Sequence, residues 1–447
     1  MTPLWVRTQG ASGYDELGTV TTDATGNAVM SFMYTGQADA SGTPLPWNGA
    51  TYDLHAGVVK YRPDGSVAWA QSFVPPFLSV PHDENHVRVR ALTTDAPGEV
   101  FVGGSAYLGA TVAGRTLPPG AFLAKLEGAT GQVRWTLPVQ PPPNTELYFE
   151  DFEATPDGDF VALARLDVFT PSGGYEGSWA MVLKYRGSDG DLLWSLLIHH
   201  TSWDDMVHAS DLSVDDVGNV YVCGSFRGTM NFGPLKFSSP VSPGGESLGA
   251  GYLVALNGSG EHRWSRLVLG APDVAPKSVS AFRHRVLLTA TGSPTFQGQN
   301  LPRGQYVMGY YSENGEERWA RQLSPIVSAG DRVFVRTSGE EAVVLVQNDA
   351  SLLGVPRSRL VDPDYFVPKQ TFFVARFWRT NGHFLGARNF EEVVPALGGV
   401  LPATVAISPV DAQVLVTGHF NGVMDFGTGG VVTPRGRADA FLLRLAR

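Results

Sequence analysis

The chain has 447 residues, and 33 lysines and arginines against 43 aspartates and glutamates give it a formal net charge of −10. This acidic balance excludes the basic footprint of a nucleic-acid-binding or anionic-membrane-binding protein, so neither nucleic acid nor membrane insertion is predicted. Glycine (52) and proline (31) are frequent and only 17% of the residues are charged, which disfavours long surface helices. The hydrophobic fraction of 43% excludes an intrinsically disordered chain.

A small turn dipeptide followed by an aromatic residue recurs along the chain. The pairs are Asp64-Gly65 with Trp69, Thr130-Gly131 with Trp135, Asp189-Gly190 with Trp194, Ser259-Gly260 with Trp264, Asn314-Gly315 with Trp319, and Asn381-Gly382 with Phe384. Counted from Trp5, the aromatic positions lie 55 to 70 residues apart. A short apolar run precedes each turn, so every copy predicts a hairpin of two strands, which we call C and D.

A second hairpin precedes the first in each unit, as in residues 92–105 and 212–225. In these two examples its turn starts with aspartate, which hydrogen-bonds the following backbone, and ends with glycine, which takes a positive φ, whereas the fifth and sixth units lose this turn. Each unit is therefore predicted to be a four-stranded antiparallel sheet with strands A to D.

The two ends of the chain complement each other. The last unit, residues 405–445, has strands A to C but no Trp strand, whereas the first residues form a Trp strand around Trp5 with no hairpin before it. We predict an all-β, seven-bladed β-propeller with four antiparallel strands per blade, in which N-terminal residues 1–9 complete the last blade. An open β-solenoid is the alternative, but it needs capping units at both ends.

The whole chain is predicted to be a single propeller domain, residues 1–447. The seven blades are expected at about 17–73, 87–139, 152–199, 208–268, 278–323, 332–389 and 403–447. The single cysteine, Cys223, lies in an apolar strand pattern and is predicted to be a buried core residue, so no intrachain disulfide is possible.

The repeats also resemble a known family. Residues 215–226, followed by 228–233, and residues 417–420 with 425–427 and 439–442 resemble the units of bacterial seven-bladed propeller repeat proteins of the SBBP type. This resemblance implies an exported protein, periplasmic or at the cell surface, and no shared catalytic site. Residues 2–7 lack the charged start and apolar stretch of a signal peptide, so a cytoplasmic location stays open.

Binding is expected on one face of the ring. In such a propeller the A-B and C-D turns lie on one face and the longer B-C and D-A loops on the other. The B-C loops are predicted at about 36–55, 104–120, 167–178, 227–250, 293–305, 349–371 and 421–438. Since long loops on a rigid scaffold commonly carry function, a protein, glycan or cation partner is predicted on this face.

Acidic and histidine residues cluster in the predicted D-A loops. They are Asp15, Glu16, His82, Asp83, Glu84, His86, Glu150, Asp151, Asp204, Asp205 and His208. One hypothesis is an anionic funnel at the channel mouth that binds Ca²⁺, another divalent cation or a basic group. The alternative is that each aspartate caps its own loop. Arg88 and Arg90 alternate on an inner strand and are predicted to face the channel, where they would pair with the acids.

Three functions remain open from the sequence. The first is a non-enzymatic binding or interaction scaffold with no required cofactor. The second is a propeller lyase or hydrolase with a metal held by His82, His86, His208 and neighbouring acids, with His200 as a further imidazole. The third is a structural cell-surface repeat protein. No nucleophile elbow, phosphate-binding loop or zinc-protease motif occurs in the sequence.

Overall fold

The described part of the chain is built from β-strands. The computed structural model describes residues 1–11, 13, 15–16, 18–78, 85–200, 202, 205–270, 274–325, 327, 332–347, 371–394 and 400–447. These residues form strands, turns and bends but no helix.

Among the described residues the principal strands group into seven antiparallel sheets, and we refer to each of these sheets as a blade. The innermost A strands are Asp15–Glu16 with Val20–Thr22, Val87–Thr94, Thr145–Ala154, Met206–Val214, Ala275–Phe282, Val333–Ser338 and Val400–Ile407. The B strands are Ala28–Thr35, Val100–Ala106, Phe160–Phe169, Val220–Arg227, Arg285–Gly292, Glu341–Gln347 and Val414–Phe420. The C strands are Leu54–Tyr61, Gly120–Leu126, Tyr175–Tyr185, Gly249–Leu256, Gly304–Tyr311, Thr371–Trp378 and Asp439–Leu445. The outer D strands are Val67–Phe73, Val133–Val139, Leu192–His200, His262–Val268, Glu317–Ser324, Phe384–Val394 and Pro3–Ala11.

The N-terminal strand closes the ring. Pro3–Ala11 pairs antiparallel with Asp439–Leu445 and becomes the outer strand of the seventh blade. Each A strand contacts the A strands of the two neighbouring blades, including the seventh with the first. Thr22 Oγ1, for example, donates to the carbonyl of Ile407 at 3.1 Å. The predicted all-β propeller, with its N-terminal strand completing the last blade, is therefore confirmed.

Five of the recurring tryptophans join their blade to the next one. Their indole N-H groups donate to backbone carbonyls of the following blade, at N···O distances of 2.8 to 3.2 Å, from Trp5 to Pro63, Trp69 to Gly128, Trp194 to Gly258, Trp264 to Ser312 and Trp319 to Arg379. The turn glycine packs on the same ring. At Gly315 (φ +67°) an added Cβ would lie 2.6 Å from the indole of Trp264. The Gly and Trp positions recur together because they form one interblade contact.

The A-B turns have the predicted aspartate caps. Asp23, Asp95 and Asp215 accept backbone N-H groups four residues ahead, at 3.0, 2.8 and 2.8 Å. Buried Lys60 pairs with Asp23 at 2.8 Å and also donates to the carbonyl of Gly128 in the next C-D turn. The A-B and C-D turns therefore share one end of the propeller, as predicted.

Five of the B-C segments are not open loops. They contain the small hairpins Ala38–Ala40 with Thr43–Pro44, Ala110–Val112 with Arg115–Leu117, Thr229–Phe232 with Leu235–Ser238, Thr295–Phe296 with Gln299–Asn300, and Val423–Asp425 with Val431–Val432. Three of these hairpins pair with the outer strand of the preceding blade. They add further strands to the sheet of the preceding blade and cover the edge of its outer strand. The predicted segment 349–371 lies outside the described residues except for Thr371, the first residue of a C strand.

The third blade departs from the predicted loop pattern. The B-C loop expected at 167–178 is wrong, because Phe160–Phe169 and Tyr175–Tyr185 continue as paired strands and leave only residues 170–174 as the connection. This taller hairpin forms a wall on the B-C and D-A end of the ring. Cys223 is fully buried in the fourth blade, as predicted.

Candidate functional site

A cleft of about 810 Å³ opens between the third and fourth blades. One wall is the upper part of Phe160–Phe169 and Tyr175–Tyr185, and the other is the beginning of Met206–Val214. Arg332, which directly precedes the A strand of the sixth blade, reaches the same cleft. Both walls are hydrogen-bonded strands, so the side chains that line the cleft are held on a rigid scaffold.

Aromatic side chains line the third-blade wall. Tyr175 is 62% exposed, and its hydroxyl hydrogen-bonds that of Ser178 at 2.9 Å. Trp179 is half-buried, with its ring centroid 5.4 Å from that of His199 and 6.4 Å from that of His200. The extended strand therefore presents an accessible aromatic surface inside a concave site, which is a common feature of small-molecule binding sites.

Charged groups line the inner end of the cleft. Arg165 lies 3.9 Å from Glu150 and 3.3 Å from Asp167, and it stands over the ring of Tyr148. Partial desolvation raises the pKa of the Glu150 carboxyl, while the charges of Arg90 and Arg165 act in the opposite direction. Glu150 thus lies between two guanidinium groups at the opening of the channel.

Further cationic and imidazole groups surround this end. Loss of hydration, followed by the charges of Lys277 and Arg165, lowers the pKa of His208, so its imidazole is neutral at pH 7. Burial and then the charge of Arg90 lower the pKa of Arg332. His419 is buried beside Arg332, and burial together with that charge lowers its pKa to about 4. The described side chains therefore give the channel mouth a mixed charge with several cations.

The predicted site residues fall into separate places. His200, His208, Glu150 and Asp205 line the cleft together. Asp205 also caps its own blade, because its carboxylate accepts the N-H of Thr229 at 3.0 Å. His82, Asp83, Glu84 and Asp204 lie outside the described residues.

Three predicted residues lie away from the cleft. Asp15 is buried beside Asp439, and its charge acts on Tyr34. Glu16 pairs through its backbone with Met33. The ring of His86 stacks on Tyr107, with centroids 5.7 Å apart. Among the described residues, no three His, Cys, Asp or Glu side chains are grouped closely enough to hold a metal ion.

Asp151 belongs to a different cluster, inside the central channel. It was predicted in a D-A loop, but Glu150 and Asp151 both lie in the strand Thr145–Ala154, where a bulge interrupts the pairing between Phe149 and Asp151. The channel at this level has a cavity of about 310 Å³, bounded by all seven A strands or the residues just before them. The location of Asp151 predicted from sequence is therefore corrected from loop to channel wall.

The channel cluster consists of Asp151, Glu153, Asp211 and Arg336. Arg336 lies 3.1 Å from Asp211, and both side chains are largely buried. Asp211 also accepts the hydroxyl of Ser278 and the N-H of Val279 in the next blade. Burial and the neighbouring charge of Asp211 raise the pKa of Asp151. Three carboxyl groups therefore share one guanidinium.

We expect Glu153→Gln to stabilise the protein at alkaline pH. Burial raises the pKa of Glu153 to about 7, with Arg336 opposing and Asp211 reinforcing the shift. The folded state therefore binds a proton that the unfolded chain releases near pH 4.5, so stability falls as pH rises from about 4.5 to about 7. At about 1.4 kcal/mol per pKa unit, this loss is at most about 3.5 kcal/mol.

Urea unfolding at pH 4.5, 6 and 8 measures this effect. The wild type should lose stability across that range and the Glu153→Gln variant should lose less, so the variant gains about 1–3 kcal/mol at pH 8. Glu246→Gln, in an exposed turn, is the control and should follow the wild-type curve. Parallel curves for the wild type and Glu153→Gln would contradict the assignment.

The cleft contains residues that the sequence did not single out. Trp179 does not fall on the period of the structural tryptophans, and this mismatch was the available signal for a different role. Arg165 and Arg332 belong to no recognisable sequence motif. They come close to Glu150, together with Arg90, only because the ring brings the second, third and sixth blades together at the channel mouth.

These features define an all-β propeller with a polar and aromatic cleft on the end opposite its short turns. No protein-family model matches the chain, and no curated protein matches it. Solved structures similar to it include polysaccharide lyase Uly1 (11% identity, TM-score 0.48, 98% of this chain and 90% of that one). The Dos1 propeller has 9% identity and a TM-score of 0.46 over 100% and 95% of the two chains. Virginiamycin B lyase from Staphylococcus aureus has 10% identity and a TM-score of 0.43 over 99% of both.

At these identities the likenesses concern the fold and say nothing about ligand or activity. Within the described part of the chain, no helix has the length and apolar character needed to cross a membrane.

Proposed function

We propose that the protein is a non-enzymatic binding module whose ligand, a glycan, occupies the cleft between the third and fourth blades. The observation that carries this proposal is the combination of accessible Tyr175 and Trp179 with charged and imidazole groups in one concave site of about 810 Å³. This volume falls within the usual range of small-molecule sites, roughly 300–1,000 Å³. Sugar rings pack their C-H faces on aromatic rings while their hydroxyls hydrogen-bond polar side chains.

A glycan fits this cleft better than an extended peptide does. Peptides that bind by strand addition need an unpaired strand edge. The wall strand Tyr175–Tyr185 is paired on one side with Phe160–Phe169, and its lower part, Ala180–Tyr185, is paired on the other side with Leu192–His200. Leu192–His200 in turn pairs with Thr229–Phe232 near the cleft. Among the described wall strands, the unpaired edges are residues 175–179 and the channel-facing edge of Met206–Val214, so a peptide could add only a short strand and recognition falls mainly to side chains.

The other two functions make different predictions. The metal-dependent lyase or hydrolase remains a hypothesis that depends on His82, Asp83 and Glu84, which lie outside the described residues. A purely structural repeat predicts that the cleft side chains can be changed without loss of any binding. Export to the periplasm or cell surface, and the division of residues 1–447 into one seven-bladed domain, stay part of the proposal.

We expect Trp179→Ala to weaken glycan binding about tenfold or more, because aromatic residues at the centre of a binding site contribute a large share of its energy. The labelled protein is applied to an array of bacterial, plant and algal glycans, and the affinity for each positive glycan is then measured by calorimetry. Tyr52→Ala is the control, since Tyr52 is 78% exposed in the first blade and is not part of the cleft. Equal binding by Trp179→Ala and wild type would remove the cleft as the site, and an array without any positive glycan would overturn the glycan proposal.

A further inference from the structure

Two arginines from opposite sides of the ring meet at the channel mouth. Arg90 is on the A strand of the second blade, and Arg332 precedes that of the sixth. They are close enough for the charge of Arg90 to act on Arg332, which is half-buried. In the described part of the chain, neither guanidinium has a hydrogen bond or ion pair. Two like charges held together in a partly desolvated place cost free energy, which an anion bound between them would offset.

The same cations face the aromatic cleft. Arg332 and Arg165 both line the cavity that contains Trp179. Arg165 contacts Glu150 and Asp167 at 3.9 and 3.3 Å, but its side chain is still 45% exposed. Some N-H donors of its planar guanidinium group therefore remain accessible to a ligand. Guanidinium groups bind carboxylate, sulfate and phosphate oxygens through paired N-H donors. His208, whose side chain also lines the cleft, adds a polar ring beside these cations.

We infer that the ligand of this cleft is an acidic saccharide, with a sugar ring against Trp179 and its carboxylate or sulfate group at Arg332 and Arg165. This inference rests on the proposed glycan-binding function and specifies its ligand class. Glu150 partly compensates Arg90 and Arg165, but none of the described side chains pairs with the guanidinium of Arg332, and a neutral glycan would leave it so. A simple cation would be repelled by Arg90, Arg165, Lys277 and Arg332, all of which act on groups at this end.

The test compares three oligosaccharides that differ in one group. The probes are cellotriose, its C6-oxidised counterpart, which is a β-1,4-linked glucuronic acid trimer, and a C6-sulfated cellotriose. Calorimetry at 20 and 200 mM NaCl gives the affinities for wild type, Arg332→Gln, Arg165→Gln and Trp179→Ala. Arg186→Gln is the matched control, since Arg186 belongs to the same blade but pairs with Asp189 and Asp191 in the C-D turn at the opposite end.

We expect an acidic trimer to bind at least tenfold more tightly than cellotriose, and this difference should shrink at 200 mM NaCl. Arg332→Gln should remove about tenfold of the affinity for the acidic trimer and leave cellotriose unchanged. Arg332→Lys, which keeps the charge but not the planar fork, should recover part of it. The carboxylate and sulfate trimers distinguish which anion the site prefers. Trp179→Ala should weaken every trimer that binds.

Two results separate this inference from the proposed function. If cellotriose binds as tightly as both acidic trimers and Arg332→Gln changes none of the affinities, the acidic class is wrong while glycan binding at Trp179 stands. If an acidic trimer binds but Trp179→Ala and Arg332→Gln both leave its affinity unchanged, the cleft is not the site. Absence of binding by both acidic trimers overturns the acidic saccharide assignment. A thermal melt of each variant verifies its folding, and Arg165→Gln, which is more exposed, serves if Arg332→Gln is unfolded.

Discussion

Replacing Arg336 by methionine is expected to destabilise the folded protein by about 3–5 kcal/mol at pH 8, because removal of one partner leaves buried charge uncompensated. Arg336 is the cation that acts on Asp211, Asp151 and Glu153 together, and its own pKa is raised by these three carboxyl groups despite its burial. It donates to Asp211 at 3.1 Å and to the Ser278 hydroxyl at 3.2 Å. Methionine fills a similar volume but supplies neither the charge nor the hydrogen-bond donors.

The effect of Arg336→Met should depend strongly on pH. The three carboxyl groups are ionised at pH 8 in the unfolded chain, so folding the variant requires either burying the charges together or taking up protons. Burial raises the pKa of Asp151 and of Glu153, so lowering the pH to 4.5 removes negative charge from the cluster, and the loss of stability should fall to less than half of its value at pH 8. Arg336→Lys keeps the charge and should fall between wild type and Arg336→Met.

Urea unfolding of wild type and variants at both pH values measures these differences. Arg186→Met is the control, because the ion pairs of Arg186 are exposed on the surface and such pairs contribute little to stability. If Arg336→Met costs the same at pH 4.5 and pH 8, then Arg336 stabilises the channel through packing alone and its electrostatic role is wrong.

The repeated interblade contact made the fold predictable from sequence. Five of the blades use the same indole N-H contact to the next C-D turn, so the Gly and Trp positions recur at regular intervals along the chain. The aspartate caps were predictable for the same reason, since a carboxylate at the start of a turn bonds the backbone locally. Local chemistry repeated in each blade leaves a visible periodic signal.

The cleft and the channel cluster were predicted only in part. Residues 170–174 have the composition of a loop. How far the strands Phe160–Phe169 and Tyr175–Tyr185 extend on either side of this loop is decided only by their pairing in the folded protein. A one-residue bulge at Glu150 then separates a cleft residue from a channel residue. Arg332 and Arg336 come from the sixth blade, so their proximity to third-blade acids depends on ring closure and leaves no local pattern.

Deleting residues 1–9 is expected to abolish cooperative folding of the seventh blade and to lower stability by more than about 5 kcal/mol. The strand Pro3–Ala11 pairs with Asp439–Leu445 along most of its length. Trp5 is only 8% exposed, and its indole donates to the carbonyl of Pro63 in the first blade at 2.9 Å. Arg7 adds a bond to the carbonyl of Gly65 at 2.7 Å. Removal exposes one edge of the last blade and cuts its connection to the first.

The deletion should test whether the ring needs this strand in order to close, and a second variant is needed to separate this effect from the simple loss of residues 1–9. The two ends of the chain are adjacent, since the N-H of Ala446 donates to the carbonyl of Thr2 at 2.7 Å. A circular permutant that opens the exposed turn between Ser188 and Asp189 and joins residue 447 to residue 1 through a short Gly/Ser linker keeps the strand in place. It should melt within a few degrees of wild type, whereas the deletion variant should melt far lower or without a cooperative transition.

Addition of a synthetic peptide spanning residues 1–11 supplies the most direct control. It should raise the melting temperature of the deletion variant in proportion to the logarithm of peptide concentration, because the peptide binds only the folded ring. The same peptide with Trp5 replaced by alanine should raise the melting temperature much less. It can still pair as a strand, but it lacks the indole that hydrogen-bonds the first blade. A deletion variant as stable as wild type would show that the other six blades hold the seventh in place without this strand.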